Sequence, residues 1–129
     1  PGWTPSEHEI DEALDKVFMN AKGRIIIASF ASLISRMQQV ANAAHKHGRR
    51  LAFAGASMLE NSAMALDHGY LHIENKVQIP LHNALTMKDN QVVIMCTGSQ
   101  GEPTSILGRL ALGQNRQFDR RKLIVSDLP

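Results

Sequence analysis

The run Thr97-Gly98-Ser99-Gln100-Gly101-Glu102-Pro103 concentrates the groups in this chain best suited to hold a ligand. Two glycines let a backbone approach a bound group closely, and Thr97 and Ser99 add hydroxyl donors. The run follows the wholly apolar stretch Val92-Val93-Ile94-Met95-Cys96 and precedes a helical pattern at Ile106, Leu107, Leu110 and Ala111. Strand, glycine turn and helix together aim N–H groups and the positive end of a helix at one anion, such as a phosphate. Three other stretches share this character. Ser29-Phe30-Ala31-Ser32 closes the apolar run from Arg24 to Phe30, Gly55-Ala56-Ser57 follows Arg50 to Ala54, and Ser126-Asp127 follows Leu123-Ile124-Val125. Arg36, beyond the first, and Arg109, one turn past the glycine loop, are cations able to neutralise a phosphate. Ser32 and Ser57 also fit plain helix caps, with Ser29 or Ser32 opening one helix and Ser57-Met58-Leu59-Glu60 forming a capping box for another. An isolated arginine equally fits a solvated surface.

Other chemistries find less support. His8, His45, His47, His68, His72 and His82 form no HxH, HxxxH or HxHxDH pattern at strand ends. His45 and His47 are two apart on a helix and point to different faces, so no metal site is expected from this chain alone. There is no GxSxG elbow, and Cys96 sits in a strand expected to be buried. Glu102 reads as a carboxylate at a helix start rather than a base. No catalytic residue is assigned.

The elements that must position these residues are legible in outline. Thr4-Pro5-Ser6-Glu7 opens a helix whose apolar stripe is Ile10, Ala13, Leu14, Val17, Phe18 and Ala21, stopped by Gly23. A second helix buries Leu33, Met37, Val40, Ala41 and Ala44 and ends in His45-Lys46-His47-Gly48. A third ends near Gly69, and residues 70–90 form a mixed segment with Pro80 and one short helix. After the glycine loop a helix runs to about Leu112, closed by Gly113. Continuous apolar strands alternating with helices predict an α/β fold, a mainly parallel sheet flanked by helices in three layers, formed by one domain over residues 1–129. In such a sheet the four polar strand ends lie on one edge, where ligands bind.

The bulk numbers narrow the class. The 129 residues suit one domain, with 43% apolar and 20% charged residues. A formal charge of +2 and a pI near 9.0 permit a polyanionic partner without requiring one. A single cysteine excludes an intrachain disulfide and suits a reducing cytoplasm, and no apolar run approaches a membrane span. The chain starts at Pro1 without methionine, and it is expected to be a piece of a longer protein.

With these residues in view, the chain resembles the β-CASP segment of ribonuclease J, a Rossmann-like domain of the metallo-β-lactamase superfamily. The resemblance rests on Gly23-Arg24-Ile25-Ile26-Ile27-Ala28-Ser29-Phe30-Ala31-Ser32 with Arg36 and Gln38-Gln39, and on the TGSQGEP loop at 97–103. Pro1 to Glu7 and Gly69-Tyr70-Leu71 also fit. The resemblance implies a cytoplasmic, metal-dependent ribonuclease that processes and degrades RNA as a 5′-exonuclease and endonuclease. It implies that RNA runs between this domain and a metallo-β-lactamase domain of the same polypeptide. Zinc held there would activate water. The zinc ligands HxHxDH, the DST motif and the HxSGH motif would lie outside residues 1–129, so the isolated chain is expected not to cleave RNA. Carried over by position, Ser29, Phe30, Ser32 and Arg36 line the RNA channel, and Thr97, Gly98, Ser99, Gln100 and Glu102 contact RNA near the catalytic centre. With Ser57, Gly101 and Arg109 these complete the expected RNA-binding set. The chain departs from the family pattern at Ala56, where an arginine is usual, and at Asn115, where a histidine is common. A Rossmann-like module for a small-molecule phosphate or nucleotide is the alternative function. Association into a homo-oligomer through apolar helix faces is a third possibility.

Overall fold

The continuous apolar runs become the strands of one parallel sheet. A computed structural model describes the backbone of residues 5–97 and 123–126 and the side chains of residues 7–97. The described elements are α1 (Pro5–Asn20), β1 (Ile25–Ser29), α2 (Ile34–Lys46), β2 (Arg50–Ala54), α3 (Ala56–Asp67), α4 (Leu81–Ala84), a 3-10 turn (Asp89–Gln91), β3 (Val92–Thr97) and β4 (Leu123–Ser126). The strands lie side by side in the order β2-β3-β1-β4, every neighbouring pair parallel. Ile25 to Ser29 align with Val93 to Thr97, Arg50 to Ala54 with Val92 to Cys96, and Ile25 to Ala28 with Leu123 to Ser126. The expected α/β class, with a parallel sheet between helices, is therefore the fold observed.

Alternation along the strands sorts the core into two layers. Ile25, Ile27, Leu51, Phe53, Val93 and Met95 face α1, α2 and α3, meeting Leu14, Phe18, Met37, Val40, Ala44 and Met58. Ile26, Ala28, Ala54, Ile94 and Cys96 face the other way, toward Leu81 and Leu85 around α4. Because both faces are covered, β3 is buried at every position, which is why its sequence is an unbroken apolar run rather than an alternating one.

The mixed stretch after α3 closes the outer edge of β2. The Leu51 N–H donates to Val77 O at 2.8 Å, and the Ile79 N–H donates to Leu51 O at 2.9 Å. This single bridge covers backbone groups that an edge strand would otherwise expose. The Gln38 amide adds a rung of its own, donating to His72 O at 2.8 Å and accepting from the His72 N–H at 2.9 Å.

The helix ends follow the sequence at one terminus and depart from it at the other. α1 begins at Pro5, as its fixed φ favours. α2 and α3 both close through left-handed glycines, Gly48 at φ 72° and Gly69 at φ 79°, with Arg49 N–H returning to Ala44 O and Tyr70 N–H to Ala65 O. The expected serine caps are not formed. Leu33 occupies the N-cap of α2 and Gly55 that of α3, and neither helix start has a side-chain cap hydrogen bond. Ser32 instead lies in a turn closed by Leu33 N–H to Phe30 O at 3.1 Å, and Ser57 is already the second residue of its helix.

An ion-paired cluster joins α1 to the end of α2. Asp15 Oδ1 lies 2.9 Å from Lys46 Nζ and 2.7 Å from His47 Nε2. Hydrogen bonds from Lys46, then His47, hold its carboxyl below the ordinary value of 3.8. A carboxyl depressed in the folded state contributes stability above its unfolded pKa and loses it as pH falls through the folded one. An Asp15→Asn variant should therefore differ from the parent at neutral pH, and the difference should vanish as pH falls below 3.8. Thermal midpoints measured down an acid series check this. A gap of constant size at every pH would remove the ion pairs from the account.

Candidate functional site

Because all strands run the same way, Ser29, Gly55, Thr97 and Ser126 share one edge of the sheet. The strand order makes one place on that edge distinctive. β2, the strand after β1, lies on the far side of β3, while β4, the strand after β3, lies on the far side of β1. Where adjacent parallel strands send their connections in opposite directions, open α/β sheets bind ligands in a crevice outside the carboxyl ends. The position that matches this rule here is the end of β1 and β3, where Ser29 and Thr97 face each other in register.

Phe30 is the most informative side chain there. It follows a strand with four buried residues, yet its ring is 61% exposed. An aromatic side chain at this position has no packing role in the core, and its free face suits stacking against a planar ligand. Ser29 is partly exposed and Ser32 exposed, and neither hydroxyl has a hydrogen-bond partner among the described residues. Asn61, which sequence reasoning passed over, braces this turn from α3: its Nδ2 donates to Ala31 O at 2.9 Å. An asparagine on a helix face carries no local signal that its partner lies 30 residues away.

α3 presents its start to the same edge. Gly55 adopts φ 100° and ψ 145°, a region open to glycine and costly for other residues. This kink turns β2 directly into the helix. The first returning bond is Leu59 N–H to Gly55 O at 2.9 Å, so the N–H groups of Ala56, Ser57 and Met58 lack helical partners. α2 is different, because its first turn already uses the carbonyls of Ser32 and Leu33.

Two expected site residues lie deeper than anticipated. Thr97 ends β3 instead of starting the loop, and it is 0% exposed. Arg36 stands in the first turn of α2, half-buried beside Glu7 and Asp11 of α1. Burial lowers its pKa while those two carboxylates raise it, and its Nε is buried without a hydrogen-bond partner. It therefore sits within the α1–α2 seam. Gln39 bridges the same seam, donating from Nε2 to Glu7 O and Asp11 Oδ1, each at 2.9 Å. Gly98, Ser99, Gln100, Gly101, Glu102 and Arg109 lie outside the described residues.

The described part carries no set of groups for bond cleavage. Burial pushes the Cys96 thiol up to about 11, leaving it protonated and a poor nucleophile at neutral pH. Among the described residues no three histidine, cysteine, aspartate or glutamate side chains converge as metal ligands. Zinc does not fit this donor set. The arrangement can bind, through an exposed ring, free hydroxyls and open helix N–H groups, and that is the chemistry it offers.

A family model described as "Ribonuclease J, beta-CASP domain" matches residues 22–125. This chain belongs to the ribonuclease J β-CASP domain family. It is 48% identical over 111 residues to ribonuclease J of Thermus thermophilus, covering 86% of this chain and 19% of that protein. Ribonuclease J of Mycobacterium tuberculosis is 42% identical over 118 residues, 92% of this chain and 21% of the relative. That of Synechocystis sp. is 38% identical over 122 residues, 95% of this chain and 19% of the relative. The chain thus spans about a fifth of the length of these curated relatives. The β-CASP match runs from the approach to β1 into β4, and so takes in β1, β2, β3, most of β4 and the residues 97–103. No described helix is long and apolar enough to cross a membrane.

Proposed function

We propose that this β-CASP chain binds single-stranded RNA along the carboxyl edge of its sheet and clamps it against a metallo-β-lactamase domain of the same polypeptide. Zinc and hydrolysis belong to that domain, in a cytoplasmic enzyme of RNA processing and decay. The observation that carries the reading is Phe30, an exposed ring at the end of a buried strand, flanked by serine hydroxyls without partners among the described residues. Bases stack on such a ring without regard to sequence, while hydroxyls and helix N–H groups hold phosphates. Ser29, Ser32 and Ser57 supply those donors from the described edge. Ser99, Gln100 and the two loop glycines extend it from the TGSQGEP loop, with Glu102 and Arg109 beyond. Arg36 contributes through the seam with α1, as a positive charge behind the edge rather than a direct contact.

The isolated chain should bind single-stranded RNA weakly and lose it as salt rises, since released counterions drive such binding. It should show no cleavage, with or without added zinc. Titrations of a mononucleotide and of oligonucleotides of increasing length, paired with a cleavage assay, test both statements. Binding that saturates with the mononucleotide and gains nothing from length would assign the crevice to a small nucleotide instead. Metal-dependent cleavage that follows this chain through purification would move the chemistry into it.

A further inference from the structure

The opposite edge of the sheet carries a second concentration of positive charge, unrelated to the crevice. A pocket of about 220 Å³ opens where α2 ends and β2 begins, with His45, Arg49, Arg50, Asn75 and Lys76 in its lining. Three of these are permanent cations, and no carboxylate lines the pocket. Surface cations in folded proteins usually stand near acids, as Lys46 does beside Asp15. Here the Lys76 ammonium, the His45 ring and the Asn75 amide have no ion-pair or hydrogen-bond partner among the described residues. Arg50 donates from Nη1 to the Lys76 carbonyl, and its other side-chain N–H groups have no partner among the described residues. Arg49 is spent on backbone carbonyls beneath.

The backbone is bent to make this arrangement. Lys76 is the one described non-glycine residue with positive φ, at 74°. A lysine in the left-handed region is strained, and such strain persists where surrounding structure enforces it. The turn from Glu74 O to Val77 N–H, together with the Arg50 bond, holds Lys76 there. Gly48, also left-handed and with open space where a Cβ would stand, keeps the mouth unobstructed.

We propose that this pocket binds a phosphate group, with Lys76 and Arg50 as its charged donors and Asn75 and His45 completing the set. The five-residue strand β2 separates it from the crevice by roughly 17 Å. It is therefore a separate anion site. Two sources share the chemistry: the backbone of an RNA strand leaving the crevice, and free phosphate.

Lys76→Gly is the informative variant, because it removes the cation while relieving the left-handed strain, so folding is retained. Lys16→Ala, exposed on α1, removes the same charge elsewhere. In the full-length protein containing this chain, affinity for a trinucleotide and for a strand of about 20 nucleotides is measured across a salt series. The thermal midpoint is followed in inorganic phosphate alongside. If the source is RNA, Lys76→Gly weakens the long strand roughly fivefold and lowers its salt slope by about 0.7, leaving the trinucleotide and Lys16→Ala at parent values. If the source is free phosphate, Lys76→Gly alone shrinks the phosphate-induced rise in midpoint. Lys76→Gly matching Lys16→Ala in both arms overturns the site. Loss of trinucleotide binding in the parent itself would count against the crevice, and leaves these comparisons readable.

Discussion

Arg49→Ala is expected to destabilise the domain by about 3 kcal/mol or more, the largest effect of any single polar substitution considered. Arg49 is 5% exposed. Its Nη1 donates to Gly23 O at 2.9 Å, Val92 O at 2.9 Å and Asp89 O at 3.2 Å, and its Nη2 to Ala21 O at 3.1 Å. Those carbonyls come from the segment after α1, the 3-10 turn and the first residue of β3. One guanidinium thus fastens three stretches of chain at the amino edge of the sheet. Truncation removes the donors and leaves carbonyls facing a cavity, each unsatisfied group costing about 1–3 kcal/mol before water enters. Burial lowers the Arg49 pKa, but an arginine starts so high that it stays charged. Lysine carries the charge without the fork and cannot reach four carbonyls, so Arg49→Lys should fall between. Urea unfolding monitored by circular dichroism measures both. An alanine variant within about 1 kcal/mol of the parent would mean that water replaces the guanidinium without loss.

Phe30→Ala should have the largest effect on ligand binding. Stacking of one base on an aromatic ring contributes about 1–3 kcal/mol, so affinity for single-stranded RNA should fall roughly 5- to 150-fold. Stability should change little, because the ring is 61% exposed and fills no core space. That contrast separates it from Arg49→Ala, which attacks the fold. Phe30→Trp should restore or improve binding, since a larger face stacks as well. Ser29→Ala and Ser32→Ala remove one donor each and should cost about 0.5–1.5 kcal/mol. Fluorescence anisotropy of a labelled oligonucleotide on the full-length protein reads all of these. Unchanged affinity for Phe30→Ala, with the variant folded, would take the carboxyl edge out of RNA binding.

Read together, the two substitutions describe a division of labour across one sheet. Arginines hold the amino edge closed from within: Arg49 on carbonyls, and Arg24, 3% exposed, on Asp89 Oδ1 at 3.1 Å. The described part of the carboxyl edge carries a glycine kink at Gly55, a turn braced by Asn61 and serine hydroxyls without partners among the described residues. A sheet fixed firmly at one end can leave side chains at the other free for a ligand, because its register is already set by the core.

The sequence by itself determined what depends on neighbours along the chain. Unbroken apolar runs marked the strands, a period of 3.6 marked the helices, and Pro5, Gly48 and Gly69 marked helix ends, since each is a consequence of local backbone geometry. The parallel sheet followed from those patterns, and with it the gathering of Ser29, Gly55 and Thr97 on one edge. The serine caps were misplaced because a hydroxyl near a helix start is only a candidate acceptor, and Gly55 could take the cap position through its own backbone freedom. Only the tertiary structure decided that β3 lies between β1 and β2, which sets the crevice above Ser29 and Thr97. It alone buried Thr97 and Arg49, drew Arg36 into the α1–α2 seam and brought Lys76 beside Arg50. The Arg49 and Arg50 bonds join residues 26 to 43 positions apart, where packing and the need to satisfy buried polar groups select the partner and no local pattern records it.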